Sequence, residues 1–422
     1  MRSKTYLLYG LGKTNESVKR FFDENNIKYY TYCDGDLEEI ELSKIDIVIK
    51  SPGIYPNTSF MNKLKNSGIK IINDLELFYL IYPKAKLIII TGTNGKTSTA
   101  VMMAIVLNKK YKTYLAGNIG TPLFSIKSKK NFIDEFVVVE ASSYMLEHCD
   151  SVVPYAYLLL NISPHHLGYH QSFSNYLEAK TKLINNIKDG IIIYQENDLF
   201  DSIIKAVDCL KISVYKDHSS NGVYFKDYVL YSDNEVVYKI KKDIILPYHQ
   251  INNMLYVVAL AKELGIKPEK IRKGLEEVSF QKYRLQKIYE DDQTIIINDS
   301  KATNFEASFK AIESINDPSF EIHWILGGLG PNNFDILKET KNLVDGYYVY
   351  GDNSSLIEKD LISLNSNYQV FDSLDDIIKQ LKNNKNKKVI LYSPAAQSFD
   401  HFMNFEERGL YFTNLINKYF QK

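Results

Sequence analysis

The chain has no surplus of charge of either sign, no long apolar run and almost no cysteine, and each shortage removes a class of function. Lys plus Arg and Asp plus Glu both number 51 in 422 residues, so no net field draws the protein to nucleic acid or anionic lipid. The basic run at 385–388 reads as a solvated loop. The three cysteines, Cys33, Cys149 and Cys209, are odd in number and lack metal-site spacing, which points to a reducing compartment rather than a disulfide framework. No segment reaches the roughly 18 consecutive apolar residues of a membrane span. Residues 1–12 run directly into a strand and turn rather than a signal peptide. No internal repeat or low-complexity tail is visible. A soluble cytoplasmic protein is therefore expected, one that engages neither nucleic acid nor membrane. The 45% hydrophobic content is ample for real cores, and the length suits about two to four domains.

The most informative stretch present begins with the apolar run at 87–90. It continues as Thr91-Gly92-Thr93-Asn94-Gly95-Lys96-Thr97, then Ser98 and a small-residue helical segment. A strand, a glycine turn and a helix start form the layout in which backbone N–H groups and one lysine close around a polyphosphate. The first glycine of the usual phosphate-loop pattern would fall at Ile90, so this is a shortened variant. A purely structural turn would use Gly92 and Gly95 but would not call for Gly-Lys-Thr after an apolar strand. ATP or GTP is the expected ligand.

Three units follow from the alternation of strands and helices. The first has strands at 5–9, 28–32 and 46–50, with a helix at 16–25. Its Gly10-Leu11-Gly12 turn resembles a dinucleotide fingerprint, but Asn15 occupies the place of the third glycine, so NAD is not expected. In the second unit, a strand at 136–139 runs into Glu140-Ala141-Ser142-Ser143. Another at 155–160 ends in Asn161-Ile162-Ser163-Pro164-His165-His166. Polar groups thus lie past the C-terminal ends of three apolar strands, where open α/β sheets bind ligands. Residues 213–245 read as an antiparallel excursion with a turn at Ser220-Asn221-Gly222, and a helix at 251–264 closes on Gly265. The third unit has strands at 294–297, 323–326, 346–350 and 389–392. These are followed by Asn298-Asp299-Ser300-Lys301, Gly327-Gly328 and Ser393-Pro394. The expected domains are 1–82, 83–281 and 282–422.

Polyphosphate chemistry normally uses Mg²⁺, a hard cation with oxygen ligands. Thr97 offers a hydroxyl and Glu140 a carboxylate, although Glu140 also fits a helix cap or a surface position. His165-His166 fits a plain loop as well as a ligand. From spacing alone Lys180 is a solvated helix lysine. Asp299 and Lys301 stand where they could reach a nucleotide. Ser398 has no G-x-S-x-G context, so a serine hydrolase is not expected, and Arg408-Gly409 reads as a helix end. The pattern suits a reaction in which a phosphoryl group activates one substrate and a second substrate displaces it.

These motifs together resemble the Mur ligase family over almost the whole chain. The segment Asn298-Asp299-Ser300-Lys301-Ala302-Thr303-Asn304 is similar to the branch that adds D-glutamate to UDP-N-acetylmuramoyl-L-alanine in peptidoglycan precursor synthesis. Ser51-Pro52-Gly53, Gly117-Asn118-Ile119-Gly120 and residues 393–405 agree with it. The resemblance implies a three-domain α/β fold with Rossmann-like N- and C-terminal domains around a central phosphate-loop ATPase-type domain. It also implies ATP and Mg²⁺. Lys96 and the loop amides of Gly92, Thr93, Asn94 and Gly95, with Thr97 and Ser98, would hold phosphates. Thr97 and Glu140 would hold one Mg²⁺, with His166 near a second and Lys180 carbamylated as a further metal partner. His249, Gln250 and Asn253 would meet adenine, and Arg284 and Asp299 the phosphate or ribose. Lys13, Thr14 and Asp34 would bind uridine, with Asn118 and Ser142 on the UDP-sugar. Lys301, Thr303, Ser398, Phe399 and Phe405 would face D-glutamate. The chain departs from the family at Tyr283-Arg284, and at Pro331, where a lysine is usual. It departs again around His166, where His165 and Gly168 replace acidic neighbours. A monomer is expected. The competing readings are another amide-forming ligase on this scaffold, including a folylpolyglutamate-type enzyme, and a non-catalytic UDP-sugar or nucleotide-binding protein.

Overall fold

The computed structural model describes residues 3–35, 40–118, 120–215, 222–240, 248–278, 283, 285–315, 318–330 and 337–420, with the backbone alone at Tyr248 and His249. Two compact units appear, Met1–Lys239 with His249–Val278, and Ile240–Tyr248 with Ser279–Lys422. The first unit carries two sheets and the second carries one.

The N-terminal sheet is parallel, in the order β2 (Tyr29–Tyr32), β1 (Tyr6–Tyr9), β3 (Ile47–Lys50), β4 (Lys70–Ile72). Helix Lys13–Asn25 follows β1 across the Gly10–Gly12 turn. Asn15 is fully buried, and its amide donates to the carbonyls of Tyr9, Gly10 and Ile49 at 2.9–3.1 Å. The residue at the missing-glycine position therefore clasps the ends of β1 and β3, and the turn needs no third glycine.

The nine-stranded sheet contains β5 (Lys86–Thr91), β6 (Thr113–Gly117), β7 (Phe136–Glu140), β8 (Ala156–Leu159), β9 (Ile191–Gln195), β10 (Leu210–Tyr215), β11 (Val223–Lys226), β12 (Val229–Ser232) and β13 (Glu235–Lys239). Its order is β13-β12-β11-β10-β9-β8-β5-β7-β6. From β5 the chain runs out to β6 and β7 on one side, then to β8 on the other. The strand order thus reverses at β5, the topological switch point where such sheets bind ligands. The antiparallel excursion is real for β11, β12 and β13, but β10 and β11 pair in parallel. Its tight turns fall at Asp227-Tyr228 and Asp233-Asn234, all four residues in the left-handed region. The expected Ser220-Asn221 turn lies outside the described residues.

Helix Asp74–Ile81 links the two sheets of this unit. Leu75, Leu77 and Phe78 share one buried core with Leu8 of the first sheet, Phe22 of helix Lys13–Asn25, Val137 of the second sheet and Phe124 of the turn after β6. Asp74 opens that helix almost fully buried, and its Oδ1 has no partner among the described residues. Burial pushes its carboxyl up to about 7, against the opposing backbone amides of Asp74 and Leu75. Between the ordinary value of 3.8 and about 7 the folded chain keeps a proton that the unfolded chain releases. Stability from this group is therefore complete below 3.8 and is lost as pH rises towards 7. Asp74→Asn should match the parent near the acid end and exceed it near neutrality by on the order of a few kcal/mol. Urea midpoints from acid to neutral pH check this, and a pH-independent difference would contradict it.

The second unit holds β14 (Gln286–Glu290), β15 (Thr294–Asn298), β16 (Glu321–Leu326), β17 (Gly346–Val349), β18 (Tyr368–Val370) and β19 (Lys388–Tyr392) in the order β14-β15-β19-β16-β17-β18. All pairings are parallel except β14–β15. Adjacent strand residues point to opposite faces, and both faces are covered. Ile297, Trp324 and Leu391 face one core, while Ile296, Ile325 and Ile390 face the other. Lys388, expected in a solvated loop, is buried at the start of β19. Arg408-Gly409 is no helix end, because it sits in the first turns of helix Phe405–Phe420. Among the described residues no helix is long and apolar enough to cross a membrane.

Candidate active site

Four loops at the C-terminal edge of the nine-stranded sheet build the site in the first unit. The loop after β5 turns at Gly92 (φ 155°) and Gly95 (φ 84°), then enters helix Lys96–Leu107. A Cβ at Gly92 would lie 3.0 Å from the Leu160 Cβ and 3.1 Å from the Asn161 carbonyl oxygen, and one at Gly95 would collide with the Asn253 side chain. Both glycines are thus required by close approach as well as by φ. The loop is braced by its neighbour after β8. Thr93 N–H donates to the Asn161 carbonyl at 2.8 Å, Asn94 N–H donates to Asn161 Oδ1 at 2.9 Å, and Asn161 Nδ2 donates back to the Asn94 carbonyl at 3.0 Å.

Lys96 arches over this loop, its Nζ donating to the carbonyls of Gly92 (2.9 Å) and Thr93 (2.8 Å). Partial burial lowers its pKa, opposed by Glu140. Glu140, at the end of β7, is nearly inaccessible rather than a surface carboxylate. Its Oε2 accepts from Thr97 Oγ1 at 2.9 Å and its Oε1 from Asn118 Nδ2 at 3.3 Å. Both of those donors are neutral.

Lys180 overturns its sequence reading as a solvated helix lysine. It lies on helix Phe173–Thr181, 1% exposed, and its Nζ donates to Thr91 Oγ1 at 3.0 Å and the Gly92 carbonyl at 2.8 Å. Burial, and secondarily Lys96, pushes its pKa down to about 7, with Glu140 acting the other way. An amine that loses its proton far more readily than an ordinary lysine is thereby held against the phosphate loop. His166 is exposed in the left-handed region (φ 53°) at the start of the short helix Leu167–His170. Partial burial and then the charges of His165, His170, Lys180 and Lys96 lower its pKa.

The structure brings Gly92, Thr93, Asn94, Gly95, Lys96, Thr97, Asn118, Glu140 and Lys180 together around β5 through the contacts above. Asn253 joins them beneath Gly95, its Nδ2 buried without a partner among the described residues. Ser98 continues the first turn of helix Lys96–Leu107, half-buried, and Gln250 lies on helix Tyr248–Glu263. Ser142 caps helix Ser143–Glu147, accepting from Met145 N–H at 3.3 Å. Lys13, Thr14 and Asp34 stand at the strand ends of the N-terminal sheet, where Asp34 accepts from the Tyr9 hydroxyl at 2.6 Å. The His249 side chain, Arg284 and Pro331 lie outside the described residues.

In the other unit, Asp299 does not stand open at its strand end. It accepts from Ser393 Oγ at 2.6 Å and Leu285 N–H at 3.1 Å. Lys301 Nζ sits 5.3 Å from the centroid of the Phe405 ring, which pairs two of the expected acceptor residues. Thr303 is half-buried, Ser398 buried and Phe399 exposed.

Sequence reasoning missed a polar cluster beside the site. His170 Nε2 shares a 2.8 Å hydrogen bond with Ser143 Oγ, and the Tyr176 hydroxyl lies 3.0 Å from Thr93 Oγ1. Lys50, buried at the end of β3, donates to the Tyr169 hydroxyl at 3.1 Å, which donates to Glu147 Oε2 at 2.8 Å. The i,i+4 spacing of His166 and His170 was the available signal; Lys50 offered none, because its partner is distant in sequence.

A phosphate loop at the switch point of a parallel sheet, walled by a buried carboxylate and a buried lysine, defines a P-loop α/β protein. Residues 90–261 match the Mur ligase middle domain, and residues 283–396 match the glutamate ligase domain of Mur ligases. Relatives named UDP-N-acetylmuramoylalanine–D-glutamate ligase from Elusimicrobium minutum and Clostridioides difficile are each 30% identical. Those alignments cover 98% of both chains and 99% of both chains, respectively. The chain belongs to the Mur ligase family. Two solved structures share its three-domain fold. MurF ligase from Thermotoga maritima in complex with ADP has a TM-score of 0.57 at 15% identity, covering 98% of this chain and 95% of its own. UDP-N-acetylmuramate–alanine ligase MurC from the same organism has a TM-score of 0.56 at 18% identity, covering 98% and 99%. At the level of the family, the activity is ATP-dependent amide bond formation in peptidoglycan precursor synthesis.

Proposed function

We propose that this chain joins D-glutamate to UDP-N-acetylmuramoyl-L-alanine, using ATP and passing through an acyl phosphate. The observation that carries the reading is the end-to-end likeness to relatives bearing that ligase name, 30% identical over 98% of each chain. The site is consistent with it. Lys96 bridges two loop carbonyls, a contact it would exchange for phosphate oxygens as the loop amides close around a nucleotide. The carboxylate of the alanyl group then attacks the terminal phosphorus, and the bond to the ADP oxygen breaks. Lys96 offsets charge that spreads over the phosphoryl oxygens. The amine of D-glutamate next adds to the acyl carbon, phosphate leaves, and an amide remains.

The buried Glu140, bonded among the described residues by neutral donors, with the Thr97 hydroxyl beside it, fits a hard divalent cation. Magnesium held there would supply positive charge next to the phosphates. Lys180, with its pKa pushed down to about 7, presents the neutral amine that reaction with CO₂ requires. The resulting carbamate would carry a carboxylate-like charge near the same site, with His166 as a further ligand. On the acceptor side, Lys301 over Phe405 offers the cation that an amino-acid carboxylate needs.

The test is an acceptor panel of D-Glu, L-Glu, D-Asp and L-Ala, with ATP and UDP-N-acetylmuramoyl-L-alanine, read by phosphate release and product mass. Product with D-Glu well above the others is expected. Product only with another acceptor would overturn the assignment and leave the family chemistry standing.

A further inference from the structure

The second unit carries a separate cluster with metal-ligand chemistry. Beyond β17 the chain turns at Gly351 (φ 86°) and presents Asp352, and beyond β19 it continues to Asp400 and His401. One ligand atom from each of Asp352, Asp400 and His401 lies within 4.8 Å of the others, and His401 Nε2 stands 3.9 Å from Asp400 Oδ2. Asp352 and His401 are exposed, whereas the Asp400 side chain is only 2% exposed.

Two further observations point to an occupant. Asp400 Oδ2 is buried, faces the His401 ring edge and has no hydrogen-bond partner among the described residues. A carboxylate oxygen removed from water is disfavoured unless a donor or cation meets it. The chain also keeps space beside that oxygen. A Cβ at position 351 would fall 2.7 Å from Asp400 Oδ2 and 2.7 Å from the Gly328 nitrogen.

We propose that Asp352, Asp400 and His401 bind a divalent cation of the zinc class. Two carboxylates and an imidazole form a mixed oxygen and nitrogen donor set, which suits zinc and its neighbours better than magnesium or calcium with their all-oxygen preference. Ligand bonds of about 2.0–2.1 Å in a tetrahedral site bring ligand atoms to roughly 3.3 Å apart. The 3.9 Å separation closes to that by rotation of the exposed His401 side chain.

The cation ties together strand ends. Asn353, next to Asp352, accepts from Gly328 N–H at 3.0 Å and donates to the Gly330 carbonyl at 3.1 Å. The turn after β16 thereby joins the turn after β17, and the metal adds the segment after β19, which carries Ser398 and Phe399. Three protein ligands leave a coordination position for water or for an oxygen of a bound carboxylate.

The inference does not depend on the acceptor assignment, because its readout is bound metal rather than turnover. The full chain, freed of metal and carrying His166→Ala to remove the competing imidazole in the other unit, is dialysed against Zn²⁺. Bound metal per chain is counted by elemental analysis, and Co²⁺ is then used as a spectroscopic probe. One tightly bound equivalent is expected, with a visible Co²⁺ band of tetrahedral intensity. Adding His401→Ala or Asp352→Asn should weaken that binding at least about tenfold. Both positions are exposed, so both variants should keep the parent's far-ultraviolet circular dichroism. Equal binding in the parent and both variants, or no zinc bound by the parent, would overturn the proposal.

Discussion

Replacing Lys96 with alanine is expected to abolish product formation, lowering turnover by at least about a thousandfold. The lysine's ammonium lies directly across the phosphate loop, bonded to Gly92 and Thr93. Lys180, the neighbouring amine, has its pKa pushed down to about 7 by burial and so carries at most part of a charge beside the loop. The loop itself should survive the change, because its braces run through Asn161 rather than through Lys96. Nucleotide binding should therefore weaken less than turnover falls. Steady-state phosphate release alongside a nucleotide titration separates the two, and near-normal turnover would refute the phosphate role.

Lys180→Ala should cost most of the activity, on the order of a hundredfold or more, and a small carboxylic acid such as acetate or formate should restore part of it. The geometry behind this is specific. Lys180 Nζ bonds Thr91 and Gly92 from a site walled by Tyr176, so its removal leaves a small polar void that a carboxylate can enter. An amine near neutrality forms a carbamate, and acid-driven protonation returns it to the ammonium. Intact mass should show the gain of one CO₂ in the parent and none in the variant. Full activity without rescue would show that no carbamate is needed.

The parts legible in the sequence were those set by local pattern. The apolar run before Thr91, the glycines of the phosphate loop and the polar ends of β7 and β8 announced a parallel sheet with a binding edge. Glu140 and Thr97 could be paired because both lie directly at element ends. Lys180 could not be read this way. Its helix shows no spacing that marks burial, and only packing of helix Phe173–Thr181 against the end of β5 takes the amine out of water. Asn15 was misleading for the opposite reason. As a residue it suggested a defective dinucleotide turn, whereas its three carbonyl contacts span two strands far apart in sequence.

Arg408 shows the same limit in the second unit. Next to a glycine it resembled a helix terminus, yet it is fully buried, with Nε donating to Ser300 Oγ at 3.2 Å and Nη2 to the Ser300 carbonyl at 2.9 Å. Gly409 lies against the Tyr283 ring and accepts from Asn298 Nδ2 at 2.8 Å, so it serves packing rather than helix termination. Edge strands β14 and β18 were missed because short, half-exposed strands carry little apolar periodicity.

The central claim is that the cleft above β5 lets a substrate carboxylate take the terminal phosphoryl group of ATP before an amine displaces it. Supplying UDP-N-acetylmuramoyl-L-alanine with ¹⁸O in its free carboxylate, together with ATP and D-glutamate, tests this step most directly. One labelled oxygen should leave with the released phosphate for each amide formed. Amide formation with unlabelled phosphate would contradict the account.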